Sequence, residues 1–226
     1  MTTVLPDFTA PAAARMIQDF CTERHLFGGA ITSTLPIRFQ DLSNVRQVPD
    51  HQEVFVDPAR DESLIIELLD FKHEVGDVGS AAWFLQDLAN EQEAEGFTMI
   101  EHSGVVEVPG LCYRNMPAVV TTAVGQMAIS KGRQRMNAQN IVRLYLANLR
   151  LKEVATDVLI TAYEPILINP LSESASSVGP GLAVPAAQSG FLSMAEVFKL
   201  AVSTFKVNNW SLFHPAALKK CFSGQL

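Results

Sequence analysis

Histidine is the residue type most often used to bind transition metals, so the histidine spacing is a first test for a metal site. The chain has five histidines, at positions 25, 51, 73, 102 and 214. No two of them follow the HxH, HxxxH or HExxH spacing that places two imidazoles on one metal ion. We therefore expect no metal site and no metal cofactor.

The glycine and serine patterns of nucleotide-binding and hydrolytic enzymes are also missing. Gly28 and Gly29 do not form a GxGxxG or GxxxxGKS/T loop, so no phosphate cradle is expected. The sequence has no GxSxG motif, and the adjacency of His102 and Ser103 does not place a base beside a nucleophile in space. These observations predict a protein that binds another protein and needs neither catalysis nor a cofactor. An enzyme with a pocket on the concave side of its sheet is an open alternative.

Carboxylates on one predicted helix, residues 64–74, are the residues best suited to bind a partner. At about 100° per residue, Glu67, Asp70 and Glu74 lie on one side of this helix and apolar residues lie on the other. Such a charged side is usually only solvated. Here no Lys or Arg follows Glu67 or Asp70 by three or four residues, so the acids repel one another and a basic partner would relieve that cost. Ile66, beside the acids, is expected to add an apolar contact.

The charge balance favours a basic partner and disfavours nucleic acid. The 226 residues include 17 Lys and Arg and 24 Asp and Glu, a formal net charge of −7, whereas phosphate binding requires a surplus of Lys and Arg. Three cysteines without CxxC spacing indicate a reducing compartment. The first 20 or so residues lack an export signal, and no apolar run approaches the roughly 20 residues of a membrane helix. We expect a soluble protein inside the cell that does not bind membranes.

Hydrophobic periodicity predicts few helices and several strands. Besides residues 64–74, helical spacing of apolar residues occurs at 80–90 and 193–205. The connections between strands look like hairpins without crossover helices, which predicts antiparallel pairing. The predicted class is α+β, a mostly antiparallel twisted sheet flanked by helices in an α/β/α sandwich. The strands are predicted at residues 53–56, 97–101, 118–128, 141–151 and 157–163, and a further strand opens from the turn in residues 26–32 and is ended by Pro36.

One domain is predicted to cover residues 26–226, with an N-terminal extension before it. Residues 1–25 contain two prolines and an alanine run, so we expect them to be flexible or to form a short helix over residues 12–21. The Ser-, Pro- and Gly-rich residues 170–190 predict a flexible loop.

Several motifs in the first half of the chain occur in the order and spacing of a known family. They are LFGGA at residues 26–30, VPD at 48–50, QEVF at 52–55 and LIIELLD at 64–70, with Pro36, Asp41 and Arg46 between them. The chain therefore resembles the Ran guanine-nucleotide release factor (Mog) family. The resemblance is close over residues 26–71 and continues in islands at 84–88, 156–160, 164–165 and near 212–213.

The resemblance implies a curved antiparallel sheet between helices, related to the PsbP proteins of the photosynthetic oxygen-evolving complex. It implies a monomer of the nucleus and cytoplasm that binds Ran, the small GTPase of nuclear transport. Such a protein promotes guanine-nucleotide release and supports nuclear protein import. The family's Ran-contacting acids match Glu67 and Asp70 here, with Asp41, Asp50 and Glu53 as companions.

A second class of function is open, because related folds host unrelated functions. The chain is then a non-catalytic PsbP-like scaffold or interaction subunit that does not act on a GTPase. A thylakoid protein needs a Ser- and Arg-rich transit segment, which residues 1–20 do not supply. The chain departs from the family in its N-terminal segment, in residues 73–155 and in the Ser-rich loop.

Overall fold

The computed structural model describes residues 19–92, 94, 99–106, 112–113, 116–130 and 138–213. The helices are α1 Ser80–Glu91, α2 Glu173–Val178 and α3 Met194–Ser203. None of these described helices is long and apolar enough to cross a membrane. The strands are β1 Cys21–Leu26, β2 Ile31–Pro36, β3 Gln40–Asp41, β4 Gln52–Asp57, β5 Glu62–Asp70, β6 Met99–Val106, β7 Cys112–Tyr113, β8 Met116–Pro117, β9 Val119–Ile129, β10 Asn140–Leu151, β11 Thr156–Ile168, β12 Gly181–Leu182 and β13 Lys206–Val207.

An eight-stranded antiparallel sheet forms the centre of the fold. Its strand order is β3-β4-β5-β11-β10-β9-β6, and β12 pairs with the end of β11 beside this path. The three longest strands, β9, β10 and β11, follow one another in the chain and pair as hairpins. The predicted antiparallel sheet is therefore confirmed, and it places β5 between β4 and β11.

The two faces of this sheet are covered by different layers. Helix α1 packs on β9 and β10 from one side, and α3 packs on β10 and β11 from the other. A three-stranded sheet of order β1-β2-β13 adjoins α3 on that second side. Two apolar clusters fill the spaces, one with Phe84, Leu85 and Leu144 beneath α1 and one with Ile66, Ile160 and Phe198 beneath α3. The predicted α+β class, a sheet flanked by helices, is confirmed.

The predicted helix over residues 64–74 is wrong, because Glu62–Asp70 form strand β5. The side chains alternate between buried and partly exposed along the strand, with Leu64, Ile66 and Leu68 fully buried. The intervening residues face the α1 layer, where Leu69 packs against the apolar cluster. A strand covered on both faces is apolar at consecutive positions, and such a run cannot be told from a buried helix by periodicity alone. The adjacent β-branched Ile65 and Ile66 favour the strand.

The N-terminal prediction falls partly outside the described residues, which begin at 19. Within them, Cys21–Leu26 form β1, paired with β2 from Cys21 opposite Pro36 to Leu26 opposite Ile31. Residues 21–25 are thus neither an extension nor helical. The remainder of the expected extension, residues 1–18, lies outside the described part. The prediction of a single domain stays a proposal.

The predicted loop at residues 170–190 contains short regular elements. Helix α2 is capped by Ser172, whose hydroxyl accepts a hydrogen bond from the Ala175 amide. Ser174 is buried and accepts a hydrogen bond of 3.0 Å from the Asn140 amide nitrogen. The serines that predict a loop act here as a helix cap and as a buried contact to β10.

Candidate partner-binding site

The predicted site residues lie around the open end of the β4–β5 pair, but they do not share one face. In this register Gln52 stands opposite Glu67, and Glu53 stands opposite Ile66. Directly opposite residues of an antiparallel pair point to the same face, and neighbours along a strand point to opposite faces. Glu67 therefore faces the α1 layer, whereas Glu53 faces the α3 layer.

Ile66 is not available to a partner. Its side chain is 0% exposed and belongs to the apolar cluster beneath α3. The prediction that Ile66 supplies an apolar contact at the surface is wrong. It follows from the wrong helical period, which places residues 66 and 67 on adjacent parts of one surface, whereas a strand sends them to opposite sides.

Asp70 is exposed at the end of β5, where it pairs with Thr156 of β11. It lies three positions after Glu67, an odd separation, so the two carboxylates point to opposite faces of the sheet. The single acidic side predicted for Glu67, Asp70 and Glu74 does not exist, and Glu74 lies beyond the end of the strand.

Glu67 is held in place by two neighbours from the start of β4. The side-chain amide of Gln52 donates a hydrogen bond of 2.7 Å to Glu67 Oε1. His51 Nε2 lies 3.4 Å from the same oxygen. The Glu67 side chain is 19% exposed, so the carboxylate is partly shielded but still open to a partner.

Two further carboxylates near Glu67 come from helix α1, and sequence reasoning missed both. Asp87 and Glu91 lie one turn apart near the helix end, and the charges of Asp87 and Glu67 both act on Glu91. Burial raises the pKa of Glu91, and these two neighbouring charges raise it further. We call Glu67, Asp87 and Glu91 the acidic surface. The sequence signal for this pair was available: Asp87 lies on the helix predicted at residues 80–90, Glu91 follows it four residues later, and the segment contains no Lys or Arg.

The acidic surface also affects the phenol beneath it. Burial raises the pKa of Tyr163, and the nearby charges of Glu67 and Glu91 raise it as well. Within the described residues, no Lys or Arg forms an ion pair with the three carboxylates, and His51 is the group that pairs with Glu67. The last turn of α1 also lacks a basic residue, although helix carbonyl ends favour cations. The arrangement is suited to binding a cationic group.

Glu53 and Asp41 each accept a hydrogen bond from a backbone amide of a neighbouring turn. The Glu53 carboxylate accepts a hydrogen bond from the Phe27 amide at 2.5 Å, and Phe27 and Gly28 both have positive φ, at 49° and 66°. Burial raises the pKa of Glu53; the Phe27 amide opposes this and the Asp41 charge adds to it. Asp41 accepts a hydrogen bond of 2.8 Å from the Ser43 amide. Both acids therefore stabilise turns.

Asp50 remains accessible, because it is exposed in the turn that leads into β4. It directly precedes His51, whose carbonyl accepts a hydrogen bond of 2.9 Å from the Leu68 amide. The structure thus brings Asp50 to the same end of the hairpin as Glu67 and Asp70. Within the described residues, no group of three His, Cys, Asp or Glu side chains is placed to hold a metal ion.

Comparison with known proteins gives consistent matches. The family model described as Ran-interacting Mog1 protein matches residues 24–165. The Ran guanine nucleotide release factor of Danio rerio is 35% identical over 155 residues, covering 68% of this chain and 83% of the relative. The probable ran guanine nucleotide release factor of Dictyostelium discoideum is 31% identical over 196 residues, covering 84% and 95%.

Two yeast proteins extend the comparison. The nuclear import protein mog1 of Schizosaccharomyces pombe is 28% identical over 143 residues, covering 62% of this chain and 75% of the relative. The crystal structure of the Saccharomyces cerevisiae Ran-binding protein Mog1p superposes with a TM-score of 0.58 at 23% identity, covering 86% of this chain and 99% of that one. The structural match shows that the fold is shared.

Proposed function

The chain belongs to the family of Ran-interacting Mog1 proteins, and on that premise we propose that it binds the small GTPase Ran and promotes release of its guanine nucleotide. The matched residues 24–165 contain all three carboxylates of the acidic surface. The observation that carries the proposal is this surface, which two folded elements hold together without a Lys or Arg partner in the described residues. It is complementary to a basic patch on a partner.

Nucleotide release needs no bond chemistry from this chain. It needs tighter binding to the empty or loosened GTPase than to the loaded one, because linkage then weakens nucleotide binding by the same factor. About 1.4 kcal/mol of difference in binding free energy gives tenfold in affinity. A few charge-assisted hydrogen bonds are enough to provide such a difference. The proposed role is therefore that of a binding protein and not of an enzyme.

Glu67 is the proposed centre of the contact, with Asp87 and Glu91 beside it. Asp50 and Asp70 are proposed as outer contacts, because both are exposed at the same end of the β4–β5 pair. Asp41 and Glu53 support this region through the turns that they hold and are not assigned a direct contact.

The proposed cellular role is in nuclear protein import, the process for which the fission-yeast relative is named. The protein then meets Ran in both the nucleus and the cytoplasm. One copy of the chain carries the whole acidic surface, so a monomer is sufficient for this activity.

The direct test uses purified Ran loaded with a fluorescent guanine nucleotide. Added wild-type protein should speed the loss of fluorescence, and Glu67→Lys should weaken Ran binding by about tenfold or more, since reversing one contact charge costs at least about 1.4 kcal/mol. Glu67→Lys combined with Glu91→Lys should abolish binding. Circular dichroism and thermal melting should change little, because neither side chain belongs to an apolar cluster of the core.

Glu23→Lys is the matched control, because Glu23 is exposed on β1 in the layer opposite α1. It makes the same charge change and should bind Ran normally. Normal binding by the double variant would show that the acidic surface is not the contact. Failure of the wild-type protein to bind Ran at all would remove the proposed function itself.

Salt gives an independent prediction. Association between the acidic surface and a basic partner is steered by charge, so the association rate constant should fall steeply as ionic strength rises. Stopped-flow measurements between about 0.01 and 0.5 M salt test this, over a range in which the Debye length falls from about 30 Å to a few ångströms. Glu67→Gln should flatten the dependence; an equal slope in wild type and variant contradicts the assignment.

A further inference from the structure

Gln52 stands directly across the β4–β5 pair from Glu67, and its side-chain amide donates a hydrogen bond of 2.7 Å to Glu67 Oε1. We propose that Gln52 is a positioning residue, which holds the Glu67 carboxylate in the geometry that a basic group of the partner meets. This inference rests on the proposed function, because it assigns to Gln52 a role in that same contact.

Both neighbours of the Glu67 carboxylate engage the same oxygen atom. Gln52 donates to Oε1, and His51 Nε2 lies 3.4 Å from Oε1. Oε2 is then the oxygen that can accept from an incoming ammonium or guanidinium group. A carboxylate has room for about four hydrogen bonds over its two oxygens, so the contact to Gln52 does not compete with the contact to the partner.

The backbone that carries Gln52 is itself fixed. The Gln52 amide donates a hydrogen bond of 2.9 Å to the Pro49 carbonyl, and the His51 carbonyl accepts one of 2.9 Å from the Leu68 amide. The tight turn and the strand ladder therefore set the distance between the Gln52 and Glu67 side chains. The donor is presented from a rigid element, as precise positioning requires.

Glu67 needs a restraint because the other carboxylates of the acidic surface carry the same charge and repel it. Burial is the main cause of the raised pKa of Glu91, and the charges of Asp87 and Glu67 raise it further. The carboxylates of the acidic surface therefore act on each other. A free glutamate side chain would turn away from Asp87 and Glu91 and into solvent. Holding it before the partner arrives reduces the ordering that binding must otherwise impose.

The residue type at position 52 fits this role. A lysine or arginine there would also hold Glu67, but it would cancel the charge that attracts the partner. A glutamate would repel it. The neutral amide of Gln52 donates a hydrogen bond and leaves the net charge of the acidic surface unchanged.

A double-mutant cycle on the full-length chain tests the inference, with the equilibrium dissociation constant for Ran as the readout. Gln52→Leu should weaken Ran binding by about five- to tenfold, where tenfold corresponds to about 1.4 kcal/mol. Glu67→Ala should weaken it further. Adding Gln52→Leu to Glu67→Ala should then cause no additional loss, because the residue that Gln52 positions is gone. Gln52→Thr, which also removes the amide and suits a strand, should repeat the result of Gln52→Leu.

Gln40→Leu is the matched control, because Gln40 is exposed on β3 and lies opposite Val56, away from Glu67. It introduces the same apolar side chain on the same sheet and should leave Ran binding unchanged. Thermal melting of each variant separates a loss of fold from a loss of positioning.

Three results would overturn the inference, and they can be told apart. An equal loss from Gln52→Leu in the wild-type and Glu67→Ala backgrounds would mean that Gln52 contacts Ran directly. No loss from Gln52→Leu, with a loss from Glu67→Ala, would reject positioning while the proposed function stands. Normal binding by Glu67→Ala would reject both the acidic contact and its positioning.

Discussion

A carboxylate near a predicted binding surface can stabilise the fold without contacting the partner, and Glu53 is the example here. It lies one residue after Gln52 but points to the opposite face, where it accepts a hydrogen bond from the Phe27 amide. That bond holds a turn in which Phe27, Gly28 and Gly29 all have positive φ. The two neighbouring side chains thus serve different purposes only because strand side chains alternate.

Replacing Glu53 by Gln should keep the hydrogen bond to Phe27 and remove a partly buried charge. Burial raises the pKa of Glu53, so the folded state binds more protons than the unfolded state and the Glu53 contribution to stability falls as pH rises through the folded pKa. Glu53→Gln should therefore match the wild type in acid and become the more stable of the two by pH 7. Chemical denaturation at a series of pH values measures the difference.

Ran binding by Glu53→Gln should be unchanged, because Glu53 is assigned to the turn. If Glu53→Gln is less stable than wild type at pH 7, burial is not the main effect on the Glu53 carboxylate. If it loses Ran binding, Glu53 contacts Ran directly.

At the scale of elements, the sequence is most informative where one face alone is buried. Helix α3 illustrates this, because Val197, Phe198, Ala201 and Val202 recur at helical spacing and Ser193 stands just before them. The structure gives the helix the expected start, with a capping box between Ser193 and Glu196. Local signals and tertiary packing agree here, so the prediction of this helix is confirmed.

Ser193→Ala should destabilise the protein by about 1 kcal/mol, the usual cost of losing an N-cap side chain. The Ser193 hydroxyl accepts a hydrogen bond of 3.3 Å from the Glu196 amide, and the Glu196 carboxylate accepts one of 2.8 Å from the Ser193 amide. Denaturant unfolding measures the loss. Ser177→Ala, at an exposed position of α2, is the control and should change stability much less; equal effects would contradict a capping role.

The same reasoning fails for β5, because apolar side chains stand on both of its faces. Leu64, Ile66 and Leu68 face one apolar cluster while Leu69 faces the other, so the period of two is hidden beneath consecutive apolar residues. Whether residues 62–70 form a strand or a helix is decided by their pairing with β4 and β11 in the sheet. Glu67 was recognised from its motif and its charge. Its true neighbours, Asp87 and Glu91, are brought to it only by the packing of α1.

At the scale of the whole molecule, a buried ion pair joins the sheet to the segment that leads into α1. Arg150 on β10 and Asp157 on β11 are 1% and 0% exposed, and Arg150 Nε lies 3.1 Å from Asp157 Oδ1. Arg150 also donates to the carbonyl of Lys72 at 2.6 Å, and Asp157 accepts from the Lys72 amide at 2.9 Å. The pair therefore fixes the chain between β5 and α1, which carry the two parts of the acidic surface.

Arg150→Met should lower the free energy of unfolding by about 3–5 kcal/mol, because it leaves Asp157 buried without its cation. Guanidinium unfolding curves measure this loss. Lys152→Met is the control: the Lys152 side chain is 51% exposed and pairs with Asp77 at the surface, so its loss should cost at most about 1 kcal/mol after solvent screening. Comparable losses for the two variants would contradict the structural role of the buried pair.

The contact between β2 and α3 joins residues that are made far apart in time during synthesis. The Ser33 hydroxyl donates to the Ala201 carbonyl and the Thr34 amide donates to the Thr204 hydroxyl, across 168 and 170 residues. At roughly 5–20 residues per second, a ribosome needs about 10–30 s to bridge such a separation. Throughout that interval the apolar side of β2 on the nascent chain has no α3 to cover it. The layer that β2 forms with α3 is therefore completed only after residue 204 has left the ribosome, and until then the apolar side of β2 is open to contacts with other chains.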